Sequence, residues 1–174
     1  MKNIVKILFT AIIIAISIPI LNFLINFQNE PRGTITNKTF VSYSDLFFNY
    51  EVSRYPSSVE VLPIQLTQEK VLLGMSVDPW NLNFGIIPAG NNSAKRFINL
   101  VNLKEKDFKV ILKAYGNISS FVKFSKNNFL LHPKENVTVE AIFYAEKAKV
   151  GNYTGIIDVI IKKPKYDFLY SFLK

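Results

Sequence analysis

The chain has 174 residues, 49% hydrophobic and 20% charged, with 21 Lys and Arg against 13 Asp and Glu for a net charge of +8. It has no cysteine and one histidine, His132, which excludes a disulfide scaffold and leaves a transition-metal centre without its usual ligands. The positive charge is scattered, and nothing resembles a reading helix or an RNA-binding signature, so nucleic acid is not an expected partner. Such a spread suits a solvated surface whose lysines guard strand edges, and it leaves open attraction to an anionic glycan or lipid surface.

Residues 1–6 form a positively charged flank with Lys2 and Lys6, and residues 7–27, Ile7 to Phe27, follow without a charge. At about 1.5 Å per residue that run reaches roughly 30 Å, enough to cross a hydrocarbon core as one helix. It is longer than a typical signal-peptide core and its far end lacks an A-x-A-like site, so the spacing predicts an uncleaved signal anchor. A cleaved signal ending at Ala15-Ile16-Ser17, or a pilin-like cut before Ile7, is the alternative. Lys2 and Lys6 lie before the run while Glu30 and Arg32 nearly cancel after it, which keeps the N-terminus cytoplasmic and sends residues 28–174 outside. Pro19 falls within the run, and Asn22 and Asn26 share one face near its outer end.

Residues 28–70 read as a stem with accessory strands. Gly33 to Tyr43 alternates like a strand, Ser44 to Tyr50 reads as a short helix capped by Ser44, and Val59 to Leu66 as a strand interrupted by Pro63. The segment is rich in aromatics, among them Phe40, Tyr43, Phe48, Tyr50 and Tyr55. Either they complete a core or they form a contact patch.

From residue 71 to 163, short apolar runs alternate with turn signals at the spacing of an all-β sandwich. Val71 to Val77, Leu82 to Phe84, Arg96 to Asn102, Phe108 to Tyr115, Phe121 to Phe124, Phe129 to Leu131, Val137 to Tyr144 and Tyr153 to Ile161 read as strands. In Arg96–Asn102, Phe97, Asn99 and Val101 fall on one face and Ile98, Leu100 and Asn102 on the other; Val137, Val139, Ala141 and Phe143 point inward. The pattern Leu82-x-Phe84-Gly85-x-Ile87-x-Ala89-Gly90, then Ile98-x-Leu100-x-Asn102, resembles the opening of immunoglobulin-like sandwiches of the MSP/ASH type. Phe124-Ser125-x-Asn127-x-Phe129-x-Leu131-x-Pro133 and Gly151-x-Tyr153-x-Gly155-x-Ile157-x-Val159 are similar to closing strands of archaeal and bacterial surface-protein modules. The resemblance implies an all-β, immunoglobulin-like antiparallel sandwich preceded by one transmembrane helix, and it implies no particular activity.

In residues 164–174, Tyr166, Phe168, Tyr170 and Phe172 alternate strictly, which predicts an aromatic C-terminal strand and a candidate contact surface, folded back or paired with a neighbouring molecule. Five asparagines match N-x-[ST], namely Asn37, Asn91, Asn117, Asn136 and Asn152, all beyond the anchor. Chance supplies about two, so they are candidate N-glycosylation sites. His132 sits at a strand end in Leu131-His132-Pro133, and the aspartates are isolated, so neither a catalytic constellation nor a calcium loop nor a cofactor motif is legible. The expectation is a membrane-anchored extracytoplasmic module that acts by binding an envelope or appendage protein, or itself. The alternative is a secreted or filament-forming subunit of pilin, archaellin or donor-strand type.

Overall fold

The computed structural model describes residues 2–31, 33, 35–63 and 80–173. The expected strand Val71 to Val77 and the end of Val59 to Leu66 lie outside the described residues. The chain divides into two compact units, Met1–Arg32 and Gly33–Lys174.

The first unit is one helix, α1 (Lys2–Gln28), with Pro19 inside it. Its stretch Lys6–Leu24 is long and apolar enough to cross a membrane by length and composition. None of its described side chains is buried. Its hydroxyls return to its own backbone, Thr10 Oγ1 to Lys6 O at 2.9 Å and Ser17 Oγ to Ile14 O at 3.1 Å, which leaves neither hydroxyl seeking a partner in an apolar surrounding.

The second unit is built of mostly antiparallel strands in two sheets. They are β1 (Thr39–Ser44), β2 (Phe48–Leu62), β3 (Gly85–Pro88), β4 (Ser93–Val101), β5 (Phe108–Gly116), β6 (Val122–Phe124), β7 (Phe129–Leu131), β8 (Asn136–Tyr144) and β9 (Gly151–Pro164). The larger sheet runs β1-β2-β9-β5-β7 and the smaller β4-β8-β6. β2 is the organising strand. One flank pairs antiparallel with β9 along nearly its whole length, from Phe48↔Pro164 to Val61↔Gly151. Its other flank is shared: β1 pairs antiparallel with residues 49–54, and β3 pairs parallel with residues 59–62. Leu82 to Phe84, expected as a strand, is irregular and leads into β3 beside this second half, where Leu82 N donates to Pro56 O at 2.9 Å and Phe84 N to Ser58 O at 2.8 Å.

The two sheets share one core, since inward residues of β2, β5 and β9 (Val59, Val61, Val110, Leu112, Ile157, Val159) cluster with Ile98 of β4 and Val139, Ala141 and Phe143 of β8. The expected faces of β4 hold: Ile98 and Asn102 are buried and Phe97 and Val101 exposed. On the opposite face of the larger sheet a second cluster joins Tyr50, Val52 and Ile160 with Val41, Tyr43 and Ile111. Tyr43 stacks on Tyr50 at 4.8 Å between centroids. On that same face the Arg54 guanidinium bonds the Asp158 carboxylate at 3.2 Å, with side chains only 12% and 2% exposed. Burial raises the Asp158 pKa, opposed by the charge and hydrogen bond of Arg54.

Three expectations are corrected. Ser44 to Tyr50 is a hairpin turn leading into β2, because the Asp45 carboxylate, rather than Ser44, accepts the N–H groups of Phe47 (2.8 Å) and Phe48 (2.6 Å), an Asx-type turn. Residues 39–62, read within a stem with accessory strands, form β1 and β2, and β2 is a central strand of the larger sheet rather than an accessory one. The C-terminal segment is a 3-10 helix (Asp167–Phe172), not a strand. β9 has both flanks occupied where it ends, by β2 and β5, so no ladder is open to continue. Leu169 and Leu173 are the buried pair, and the backbone closes on itself through Leu169 N to Tyr166 O at 3.0 Å and Leu173 N to Tyr170 O at 3.3 Å.

Candidate interaction surface

One end of the β unit is drawn together by side chains. It gathers the turn before β2 (45–47), the β4–β5 loop (102–107), the β7–β8 turn (132–135) and the 3-10 helix. Asn102 is the centre of this end and is fully buried. Its side-chain amide donates to Lys106 O (2.9 Å) and Leu131 O (3.0 Å), and its Oδ1 accepts from Lys104 N (2.9 Å). Its backbone N donates to Glu135 O at 3.0 Å while its carbonyl accepts from Lys134 N at 2.9 Å. A single buried amide thus holds two loops, with every hydrogen-bonding group in use.

The 3-10 helix is seated on this end from both sides. Lys106 forms an ion pair with Asp167 and lies 5.2 Å from the Tyr170 ring centre. On the other side Lys165 N donates to Phe47 O at 2.8 Å, and its Nζ donates to Asp45 O. Asp45 is itself buried, its Oδ2 accepting the Tyr50 hydroxyl at 2.8 Å. Burial, then that hydrogen bond to Asp45, pushes the Tyr50 pKa well above the ordinary tyrosine range.

The clasped helix presents two large aromatics outward, beside exposed Asp167 and Ser171. Phe168 is 66% and Phe172 72% exposed, and Phe168 stacks on exposed Tyr166 at 5.8 Å and 15°. Leu46 in the neighbouring turn and Leu103 in the β4–β5 loop are also exposed, Leu103 to 83%. Of the four aromatics named from the sequence, Tyr166, Phe168 and Phe172 are therefore outward and Tyr170 is half-buried under Lys106. Leu46 and Leu103 were not foreseen; the available signal was a lone leucine among turn or charged residues. The earlier aromatics separate, with Tyr43, Phe48 and Tyr50 gathering on the sheet face. Phe40 stays exposed, and Lys38 Nζ lies 4.8 Å from its ring centre and 4.4 Å from that of Tyr55.

His132 is on this same end, its Nδ1 3.0 Å from Asp107 Oδ1 and its backbone N donating to Glu135 Oε2 at 2.7 Å. The first contact ties the β7–β8 turn to the β4–β5 loop, and the second closes the β7–β8 turn on itself. Among the described residues no group of three or more His, Cys, Asp or Glu is placed to hold a metal ion.

The opposite end carries the glycine turns. Asn91, Asn117 and Asn152 sit there, Asn136 at the start of β8 on the aromatic end, and Asn37 ahead of β1. All five are exposed. Asn117 differs from the others in one contact: its Oδ1 accepts from Thr154 N at 2.6 Å. A cleft of about 370 Å³ on this part of the molecule is lined by Ser58, Glu60, Asn83, Ile86, Asn152 and Tyr153 among others. No protein-family model and no curated protein sequence matches the chain.

Proposed function

We propose that this chain is a membrane-anchored module whose extracytoplasmic domain, an immunoglobulin-like sandwich, acts by binding another protein of the cell envelope or of a surface appendage. In such sandwiches one sheet holds the second, fifth and fourth strands and the other the third, sixth and seventh. The order β4-β8-β6 facing β5, β9 and β2 supports that reading, with β2 standing where the seventh strand belongs. α1 serves as the single-pass anchor, with Lys2 and Lys6 on the cytoplasmic side.

The observation that carries the reading is the pair Phe168 and Phe172. They are exposed on a helix whose other side is buried through Leu169 and Leu173 and pinned by Lys106 and Lys165. Rigid, outward aromatics of this kind are the usual anchors of protein interfaces. The test replaces Phe168 with a photo-crosslinking phenylalanine analogue in the full-length chain in its native membrane. One discrete protein adduct is expected, absent when the probe stands at exposed Lys147. Equal adducts at both positions would sink the proposal, and lipid or glycan adducts at Phe168 would redirect it to an anionic envelope surface.

A further inference from the structure

Asn152 differs from the other N-x-[ST] asparagines in where the sheet puts it. On β9 it lies level with Glu60 of β2, and Glu60 in turn lies level with Ile86 of β3. Thr154 lies level with Ser58 in the same ladder. Side chains two apart along a strand share a face, so Asn152 and Thr154, the acceptor and the hydroxyl of one N-x-T match, stand side by side. All five of these residues line the cleft of about 370 Å³, with Asn83 at its rim. Asn37, Asn91, Asn117 and Asn136 do not line it.

The walls of this cleft suit a saccharide. Ile86, 46% exposed, offers an apolar surface to the C–H face of a sugar ring. Beside it the exposed Glu60 carboxylate can accept O–H bonds with charge assistance, and Ser58 adds a hydroxyl. Asn83 accepts from Gly85 N through its Oδ1 at 2.9 Å, which fixes its amide at the rim. Among the described residues neither the Glu60 nor the Asn152 side chain has a protein partner, whereas Asn117 spends its oxygen on Thr154 N. The volume falls at the small end of ligand clefts, roughly 300–1,000 Å³, the scale of a sugar rather than of a folded partner.

We propose that Asn152 carries an N-linked glycan whose first sugars fold back into this cleft, seated on Ile86, Glu60 and Ser58. The point of attachment selects the occupant. A ring bonded to the Asn152 amide starts inside the cleft, at an effective concentration on the order of millimolar or above, so individually weak contacts suffice to hold it. The inference rests on the extracytoplasmic reading of residues 28–174. Seated, the glycan covers Ile86 and the adjoining ends of β2 and β9, and withdraws this surface from protein contact.

The full-length chain is expressed in the membrane of a glycosylating host, and each N-x-[ST] match is read by glycopeptide mass mapping. The native chain in detergent is then treated with a peptide N-glycosidase. A seated glycan must leave the cleft before its linkage is reached, so release follows the open fraction. Release at Asn152 is expected to be about tenfold slower than at Asn91, the ratio for a seat closed about 90% of the time, and equal to it after denaturation. Equal native rates, or glycan on Asn91 with none on Asn152, would overturn the proposal. No glycan at any of the five matches would overturn it through the extracytoplasmic reading itself, a distinct failure.

Wall variants separate a seated glycan from a linkage that is slow only because it lies on a strand. Glu60→Ala and Ile86→Ser, both at exposed positions, are each expected to speed release at Asn152 about fivefold, the worth of one lost contact. The Asn91 rate should not move; a rise there would report a loosened fold, and Ser58→Ala then supplies the wall test. Slow release at Asn152 that no wall variant changes would overturn the proposal.

Discussion

The two ends of the β unit are held by opposite means. At the aromatic end, loops are fixed by side chains that reach into them, Asn102 and Asp45 above all. At the other end, strands approach because side chains are missing. Gly116 has φ +83°, and a Cβ there would lie 2.8 Å from Thr154 O; a Cβ on Gly155 would lie 2.0 Å from Tyr115 O and 2.5 Å from Ile118 Cγ2. The contrast separates tolerance from exposure. The clasped end can carry large apolar residues outward because its backbone is held from within, whereas the glycine end has no room to vary and displays asparagines.

That contrast breaks most readily at Gly155. Gly155→Ala forces β5 and β9 apart against a backbone carbonyl and is expected to cost about 4 kcal/mol, read as a lower urea midpoint for the full-length chain in detergent. A cost near zero would mean that the two strands separate there without penalty. At the clasped end the damaging change is a deletion. Asn102→Ala strips the side-chain amide from the buried Leu131 carbonyl, the half-buried Lys106 carbonyl and one N–H and is expected to cost about 3 kcal/mol, with faster proteolysis confined to residues 102–107 and 132–135.

Tyr50→Phe probes the same end more gently and should cost about 2 kcal/mol at neutral pH, the value of a hydrogen bond to a charged group. Its pH dependence gives a second check. The folded state keeps the Tyr50 proton above the ordinary tyrosine pKa of about 10, where the unfolded chain has lost it, so stability falls as pH rises past that point. The Phe variant should show a shallower alkaline decline, and phenolate absorbance from Tyr50 should emerge only on unfolding. The smallest effect is expected at the glycine end. Glycopeptide mass mapping from a glycosylating host should find Asn117 unmodified, since its amide oxygen holds Thr154 N, while Asn91 and Asn152 carry glycan. Glycan on Asn117 would show that this contact forms late or opens readily.

What was legible in the sequence follows the range of the interaction. β4 and β8 announced themselves because each buries one face, so Ile98 and Val139 alternate with solvated neighbours. Gly85, Gly90, Gly116 and Gly151 all have positive φ, a conformation glycine adopts without strain. The seat of β2 was not legible, because nothing local tells Val59 that its partners lie near Gly85 and Tyr153. The tail misled for a physical reason: its aromatics alternate with period two, but its backbone groups bond to residues three back, as Leu169 N does to Tyr166 O, instead of joining a ladder. Phe168 and Phe172 were therefore named as contacts for a strand geometry they do not have, and are exposed all the same. Asn102 looked like one more inward strand residue, and three of its five hydrogen bonds go to residues 131–135, distant in sequence.

The division of one flank of β2 between β1 and segment 82–88 also bears on how the molecule behaves when crowded. An uncovered fifteen-residue strand would be a long template for indiscriminate pairing, the hazard that leads to fibrils. Shared cover cuts that template in two. Among the described residues the longest edge left open is β4, and Lys95 and Arg96 stand in its middle. Loss of β1 alone would bare residues 49–54, a run holding Tyr50 and Val52, so a nick in the turn 45–47, which separates β1 from β2, is a route from a covered sheet to an aggregating one.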